Sequence, residues 1–337
     1  MAQDHPPDTT GAYIFGCAGE TLSDTERAFF TESAPWGFIL FARNITDRDQ
    51  LKNLTDDLRE AVGWNAPVLI DQEGGRVQRM GPPVWRNYLP ALDQVAASGA
   101  HAARAMYLRN RLIAHDLHEV GIDVNCAPLA DVIRPESHPI LKNRCYGEDV
   151  ETVVALARAC AEGLADGGVV PVLKHIPGYG RAVVDGHKAL PVVDAPMSEL
   201  QAVDFAPFAQ LRDLPMGMTA HIVLSELDSM PATTSPKVME MIRTEMGFQN
   251  LIMTDDISME ALSGSVAERS RAALDAGCDL ILHCNGDMTE MASVAAACGV
   301  QTPDIQDRCA RALSHRKAPT DIDISALDSE FQALIAG

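Results

Sequence analysis

The chain has 337 residues, 47% hydrophobic and 22% charged, enough to bury a substantial core without disulfide or metal staples. Its 27 Lys and Arg against 47 Asp and Glu give a formal charge of −20 with no basic cluster to reverse the field, so neither nucleic acid nor an anionic membrane surface is an expected partner. The opening MAQDHPPDTT has no basic n-region or apolar h-region, and nothing approaches the roughly 18 apolar residues of a membrane span, so a cytoplasmic protein is expected. The eight cysteines form no CxxC pair, which reads as reduced thiols without a structural zinc.

Apolar runs alternate with longer segments of helical period. Ala12–Gly16 reads as a first strand, and Ser23 with Glu26 then forms a capping-box signature opening a helix. Strands follow at Gly37–Phe41 and Pro67–Asp71. A long amphipathic segment from about Ala96 to Val120 stops at Gly121 before a strand at Ile122–Ala127. The helical pattern of Asp149–Leu164 leads to a strand at Val169–Lys174, and Gly217–Ile222 forms the sixth. Ser235-Pro236 starts another helix, Pro taking the first helical position, and Gly247 and Gly277 mark stops around a strand at Leu251–Asp255. Asp279–His283 is the last strand, and Thr302–Ala336 reads as helix closing the barrel or packing beneath it. Eight βα units predict a (β/α)8 TIM-type barrel, one domain over residues 1–337 with a helical segment at about 302–337.

Catalytic residues of such a barrel sit at the carboxyl ends of its strands. The third run ends in Asp71-Gln72-Glu73-Gly74-Gly75-Arg76, the fifth in Lys174-His175-Ile176-Pro177-Gly178-Tyr179-Gly180, and the seventh in Thr254-Asp255-Asp256; the sixth contains His221. A single Asp after a strand is more often a helix cap, and a lone His more often a packed residue, but charged groups gathered on one rim suggest a site. His221 and His283 stand evenly between rim packing and ligand contact. In the loop GYGRAVVDGHKAL, Asp185 and His187 are two residues apart, a spacing at which a carboxylate can hold an imidazole and raise its pKa.

The ordered motifs WGFILFARN, LIDQEGGRVQRM, GIDVNCAPLADV, NRCYGED, LKHIPGYG, DGH and MTDDISMEAL resemble glycoside hydrolase family 3, in particular its bacterial β-N-acetylglucosaminidases of the NagZ type. The resemblance covers nearly the whole chain. It implies a retaining hydrolase of terminal non-reducing β-GlcNAc, acting on GlcNAc-anhydroMurNAc and its peptides in cell-wall recycling. It also implies Asp255 as nucleophile, Asp256 as a structural neighbour, and His187 held by Asp185 as acid/base on a mobile loop. Asp71, Arg79, Arg144, Lys174 and His175 would bind sugar: Asp71 accepting from two hydroxyls, Lys174 and His175 donating, with salt-bridged scaffolding the other reading for Arg79 and Arg144. A monomer without cofactor or metal is expected. The chain departs from the family's KHFPGHG and DSH patterns at Ile176, Tyr179 and Gly186, and Cys126 and Cys145 stand where larger side chains are common.

Other readings remain in play. A β-glucosidase of the same family usually carries SDW at the nucleophile, where this chain has TDD, and a histidine acid/base also permits phosphate as acceptor. A metal-dependent hydrolase could draw ligands from His175, His187, His221, Asp255 and His283 but lacks the close His pair after the first strand. A noncatalytic sugar sensor conflicts with the intact nucleophile and acid/base positions.

Overall fold

The computed structural model describes residues 5–184 and 189–336. Eight strands, β1 (Tyr13–Gly16), β2 (Gly37–Leu40), β3 (Val68–Ile70), β4 (Val124–Asn125), β5 (Val170–Ile176), β6 (Met216–Thr219), β7 (Leu251–Met253) and β8 (Ile281–His283), pair in parallel in chain order. The first and last strands pair through Tyr13 and Ile281, and a bridge between Met253 and Leu280 joins β7 to β8, so the sheet closes into the expected (β/α)8 barrel. All eight expected strands are present. Their near-continuous burial is what a parallel sheet covered on both faces requires.

Helices α1 (Asp24–Ser33) and α2 (Arg48–Val62) follow the first two strands, and the Ser23–Glu26 capping box forms as expected. The segment expected as one amphipathic stretch from Ala96 to Val120 is divided into α3 (Ala91–Ser98), a short 3-10 turn and α4 (Ala102–Glu119). The break falls at Gly99, whose φ of 51° takes the backbone out of the right-handed helical region. After α5 (Val150–Asp166), α6 (Pro236–Thr244), α7 (Val266–Ala276) and α8 (Met288–Cys298), the expected terminal helix is two: α9 (Pro303–Leu313) and α10 (Ile324–Ile335), parted by a stretch containing Pro319. Helix α9 packs against β7, while α10 lies on α3 and α4 with Leu327 and Phe331 buried.

Two similar clamps hold the strands that carry the site. Just before β4, Asp123 accepts the Val68 N–H of β3 at 2.9 Å and pairs with Arg59 at 3.0 Å and Arg316 at 3.1 Å. Just before β8, Asp279 accepts the Ile252 N–H of β7 at 2.8 Å and pairs with Arg243 at 2.8 Å and Arg308 at 2.7 Å. In each case an Arg from the helix preceding the strand and an Arg from the C-terminal part of the chain neutralise one Asp. The clamped strands are the two that lead into Asp71 and Asp255.

Candidate active site

Asp71, Arg79, Arg144, Lys174, His175 and Asp255 all line one cavity of about 250 Å³ at the carboxyl end of the barrel, together with Phe41, Arg76, Tyr179, Met218, His221, Asp256 and Cys284. Asp185 and His187 lie outside the described residues. Lys174 and His175 are consecutive and would normally face opposite sides of β5. The pairing with β6 shifts between Lys174 and Ile176, an irregularity that accompanies both neighbours lining the cavity.

The charged wall is more tightly paired than the sequence implied. Lys174 Nζ donates to Asp71 Oδ1 at 2.9 Å and lies 2.7 Å from Glu73 Oε1; Arg79 Nη2 donates to Asp71 Oδ2 at 3.2 Å. Arg144 gives its guanidinium fork to Glu73, Nε to Oε2 at 2.9 Å and Nη2 to Oε1 at 2.7 Å, which is the scaffolding alternative raised for this residue. Burial pushes the Asp71 carboxyl up, but Lys174 and Arg79 outweigh it and hold it below its ordinary value. Glu73 is lowered in the same way, burial opposed by Arg144 and Lys174. Lys174 is raised above its ordinary value because Asp71 and Glu73 overcome the burial that works against its charge. Asp71, Glu73 and Lys174 are therefore charged at neutral pH.

Sequence reasoning passed over Glu73 as a working residue, although it stands in the DQEGGR run. Behind it lies Arg109 of α4, 1% exposed, which donates to the Glu73 carbonyl, to the Leu89 carbonyl at 2.8 Å and to Gln94 at 2.6 Å. This guanidinium explains Gly74: its φ is +96°, and a Cβ there would stand 1.9 Å from Arg109 Nη2. Gly74→Ala is expected to destabilise by about 2 kcal/mol or more, from strained backbone and displaced Arg109, as a lowered urea midpoint. An unchanged midpoint would show that Arg109 can move aside freely.

His175 donates Nδ1–H to Asp131 Oδ2 at 2.8 Å, and Asp131 also accepts the Tyr179 N–H at 2.7 Å. A carboxylate acceptor places a proton on Nδ1, so Nε2 is the ring nitrogen left for a ligand. His221 lines the cavity but both its nitrogens are engaged by protein groups. His283 faces the other way: Leu282 and Cys284 line the cavity, and the alternation of a strand turns His283 outward, where Nε2 meets Glu290 at 2.9 Å. The possible ligand set that included His283 is therefore not assembled, and among the described residues no group of three His, Cys, Asp or Glu side chains could share a metal ion. All eight cysteines are buried and unpaired.

Asp255 stands apart from the paired wall. Its Oδ1 accepts the Asp256 N–H at 2.8 Å, and it has no ion-pair partner among the described residues. The half-buried Asp256, which also lines the cavity, has its carboxylate engaged by protein donors, accepting from Ser258 N at 3.1 Å and Cys284 N at 3.2 Å.

Residues 18–314 match the glycosyl hydrolase family 3 N-terminal domain. The chain belongs to glycoside hydrolase family 3. Curated relatives include a beta-hexosaminidase of Bordetella avium, 34% identical over 96% of this chain and 93% of its own length, and one of Alkalilimnicola ehrlichii, 36% identical over 82% and 81%. Native NagZ from Neisseria gonorrhoeae superposes with a TM-score of 0.83 at 30% identity, covering 99% of this chain and 97% of that one. The crystal structure of the same enzyme in complex with N-trifluoroacetyl-D-glucosamine gives a TM-score of 0.84 at 30% identity, with the same coverage. This family 3 chain is a glycoside hydrolase, a β-N-acetylhexosaminidase. No helix among its described residues is long and apolar enough to cross a membrane.

Proposed function

We propose that the enzyme is a retaining β-N-acetylglucosaminidase that removes terminal non-reducing β-GlcNAc from cytoplasmic peptidoglycan fragments, GlcNAc-anhydroMurNAc and its peptides, during cell-wall recycling. The observation that carries this reading is the contrast within one cavity between Asp255, without a cation partner among the described residues, and the fully paired Asp71 and Glu73. The beta-hexosaminidase relatives and the neighbouring structure with N-trifluoroacetyl-D-glucosamine support an N-acetylated sugar as substrate.

Asp255 attacks the anomeric carbon through Oδ2, forming a glycosyl ester as the glycosidic C–O bond breaks. His187, oriented by Asp185, protonates the departing oxygen, then takes a proton from the water that attacks the same carbon and releases the Asp255 carboxylate. Two inversions leave the β configuration unchanged. Asp71, its charge secured by Arg79 and Lys174, accepts from sugar hydroxyls, Lys174 donates, and His175 meets a hydroxyl through Nε2. Arg144 acts chiefly through Glu73.

The test compares para-nitrophenyl N-acetyl-β-glucosaminide with the matching β-glucoside. The N-acetyl substrate is expected to be turned over preferentially; glucoside preference would overturn the sugar assignment. His187→Ala is expected to slow substrates with sugar leaving groups by about 10²-fold or more, and para-nitrophenyl substrates less, because nitrophenolate departs without a proton. Equal losses across leaving groups would remove the acid role.

A further inference from the structure

An attacking carboxylate must be held at one angle while its second oxygen stays free, and Asp255 has no cation to do this among the described residues. What touches its Oδ1 is the Asp256 N–H, at 2.8 Å. That donor is only as well aimed as Asp256 itself. The Asp256 carboxylate is tied by the Ser258 N–H, the Ser258 hydroxyl and the Cys284 N–H. Its carbonyl oxygen lies 3.0 Å from Nε2 of His221, which must carry a proton to make that bond.

The other face of the imidazole is equally committed. With Nε2 protonated, Nδ1 of the neutral ring is an acceptor, and the Thr233 hydroxyl stands 2.8 Å from it, nearer than the Ala220 carbonyl at 3.1 Å that is its other acceptor. Thr233 in turn can accept from the Thr219 hydroxyl at 2.9 Å, at the end of β6. His221 is 1% exposed, and Thr219 and Thr233 are fully buried. Burial pushes the His221 pKa below its ordinary value, against the pull of Asp255 and Asp256, which keeps the ring neutral. A neutral imidazole with both nitrogens occupied is placed neither to bind sugar nor to shuttle a proton.

We propose that His221, oriented by Thr233, is a positioning residue for the nucleophile: it pins the Asp256 carbonyl so that the Asp256 N–H holds Asp255 Oδ1 and leaves Oδ2 to attack. This rests on the reading of Asp255 as nucleophile. The relay crosses from β6 to the end of β7 and so fixes two strand ends relative to each other.

The test uses His221→Phe, which keeps the ring and removes both nitrogens, and His221→Gln, whose side-chain amide can place a donor near the Nε2 position. Single-turnover release of para-nitrophenol from the N-acetyl-β-glucosaminide is measured with product affinity for N-acetylglucosamine and thermal melting. His221→Phe is expected to slow the single turnover by about 10²-fold, the scale of a misplaced reacting group, with N-acetylglucosamine affinity unchanged and part of the rate restored in His221→Gln. A folded His221→Phe with wild-type turnover overturns the proposal, as does a parallel loss of rate and N-acetylglucosamine affinity, which would mark a sugar contact. Should His221→Phe fail to fold, Thr233→Val carries the test: a slowed single turnover with unchanged affinity supports the relay, and an unchanged rate overturns it. Asp255→Ala is run beside them. Activity surviving that change refutes the nucleophile assignment itself, whereas activity lost there and intact in His221→Phe refutes only the relay.

Discussion

Asp255→Ala is expected to lower turnover of para-nitrophenyl N-acetyl-β-glucosaminide by about 10⁴-fold or more while leaving the melting temperature near that of the parent. The two halves of this expectation have separate causes. In the proposed mechanism, removing the atom that forms the covalent bond eliminates the route rather than weakening it. Removing a carboxylate whose recorded hydrogen bond is to the adjacent Asp256 N–H, with no ion pair among the described residues, leaves no buried cation stranded. Azide in the small space vacated is expected to restore turnover and give the α-glycosyl azide, because it attacks from the face the carboxylate occupied. A variant retaining a tenth of parental activity would move the nucleophile elsewhere. Asp256 is not an alternative of equal standing: its oxygens are committed to Ser258 and Cys284, so Asp256→Asn should disturb stability as well as rate.

The barrel was legible because each strand is buried on both faces, so its apolar run interrupts the helical period on either side. Asp71, Lys174, His175 and Asp255 could be found by asking which residue ends each run. The same procedure left His283 evenly divided between packing and ligand contact, because a strand end alone does not say which side a residue faces; its register beside Leu282 and Cys284 does. Glu73 and Asp131 were passed over for a different reason. Their partners, Arg144 and His175, are 71 and 44 residues away, and no local pattern signals such contacts. Asp123 and Asp279 likewise open strands as ordinary Gly-x-Asp sequences, and only closure of the barrel brings their two arginines to each. The division of the helical segment after Ser98 is local, and Gly99 was the available signal for it.

Glu73→Gln is expected to cost about 3–5 kcal/mol of folding stability, a fall in melting temperature on the order of 10 °C, and to lower kcat/KM by about 10²-fold. The substitution keeps the shape and removes one of the two carboxylates, Asp71 and Glu73, that face three cations, Lys174, Arg144 and Arg79. Arg144 and Lys174 are then left with Asp71 as the remaining carboxylate, and Lys174, 2% exposed, has little water to make up the difference. Replacing both partners, as Glu73→Gln with Arg144→Met, should recover part of the stability but not the activity, since the stranded guanidinium disappears while Lys174 still lacks its second carboxylate. The pH dependence supplies an independent check. The folded-state pKa of Glu73 is depressed, so its contribution is complete above the ordinary value of 4.5 and is lost as pH falls from there through the folded-state value. Denaturant unfolding between pH 7 and pH 3 should show the parent losing stability more steeply below about pH 4.5 than Glu73→Gln, which has no proton to gain at that site. Asp71, depressed in the same direction, remains in both and contributes to the slope they share. Parallel curves, or a melting temperature within about 2 °C of the parent, would mean that Arg144 and Lys174 find other partners and that Glu73 does not hold the sugar-binding wall together.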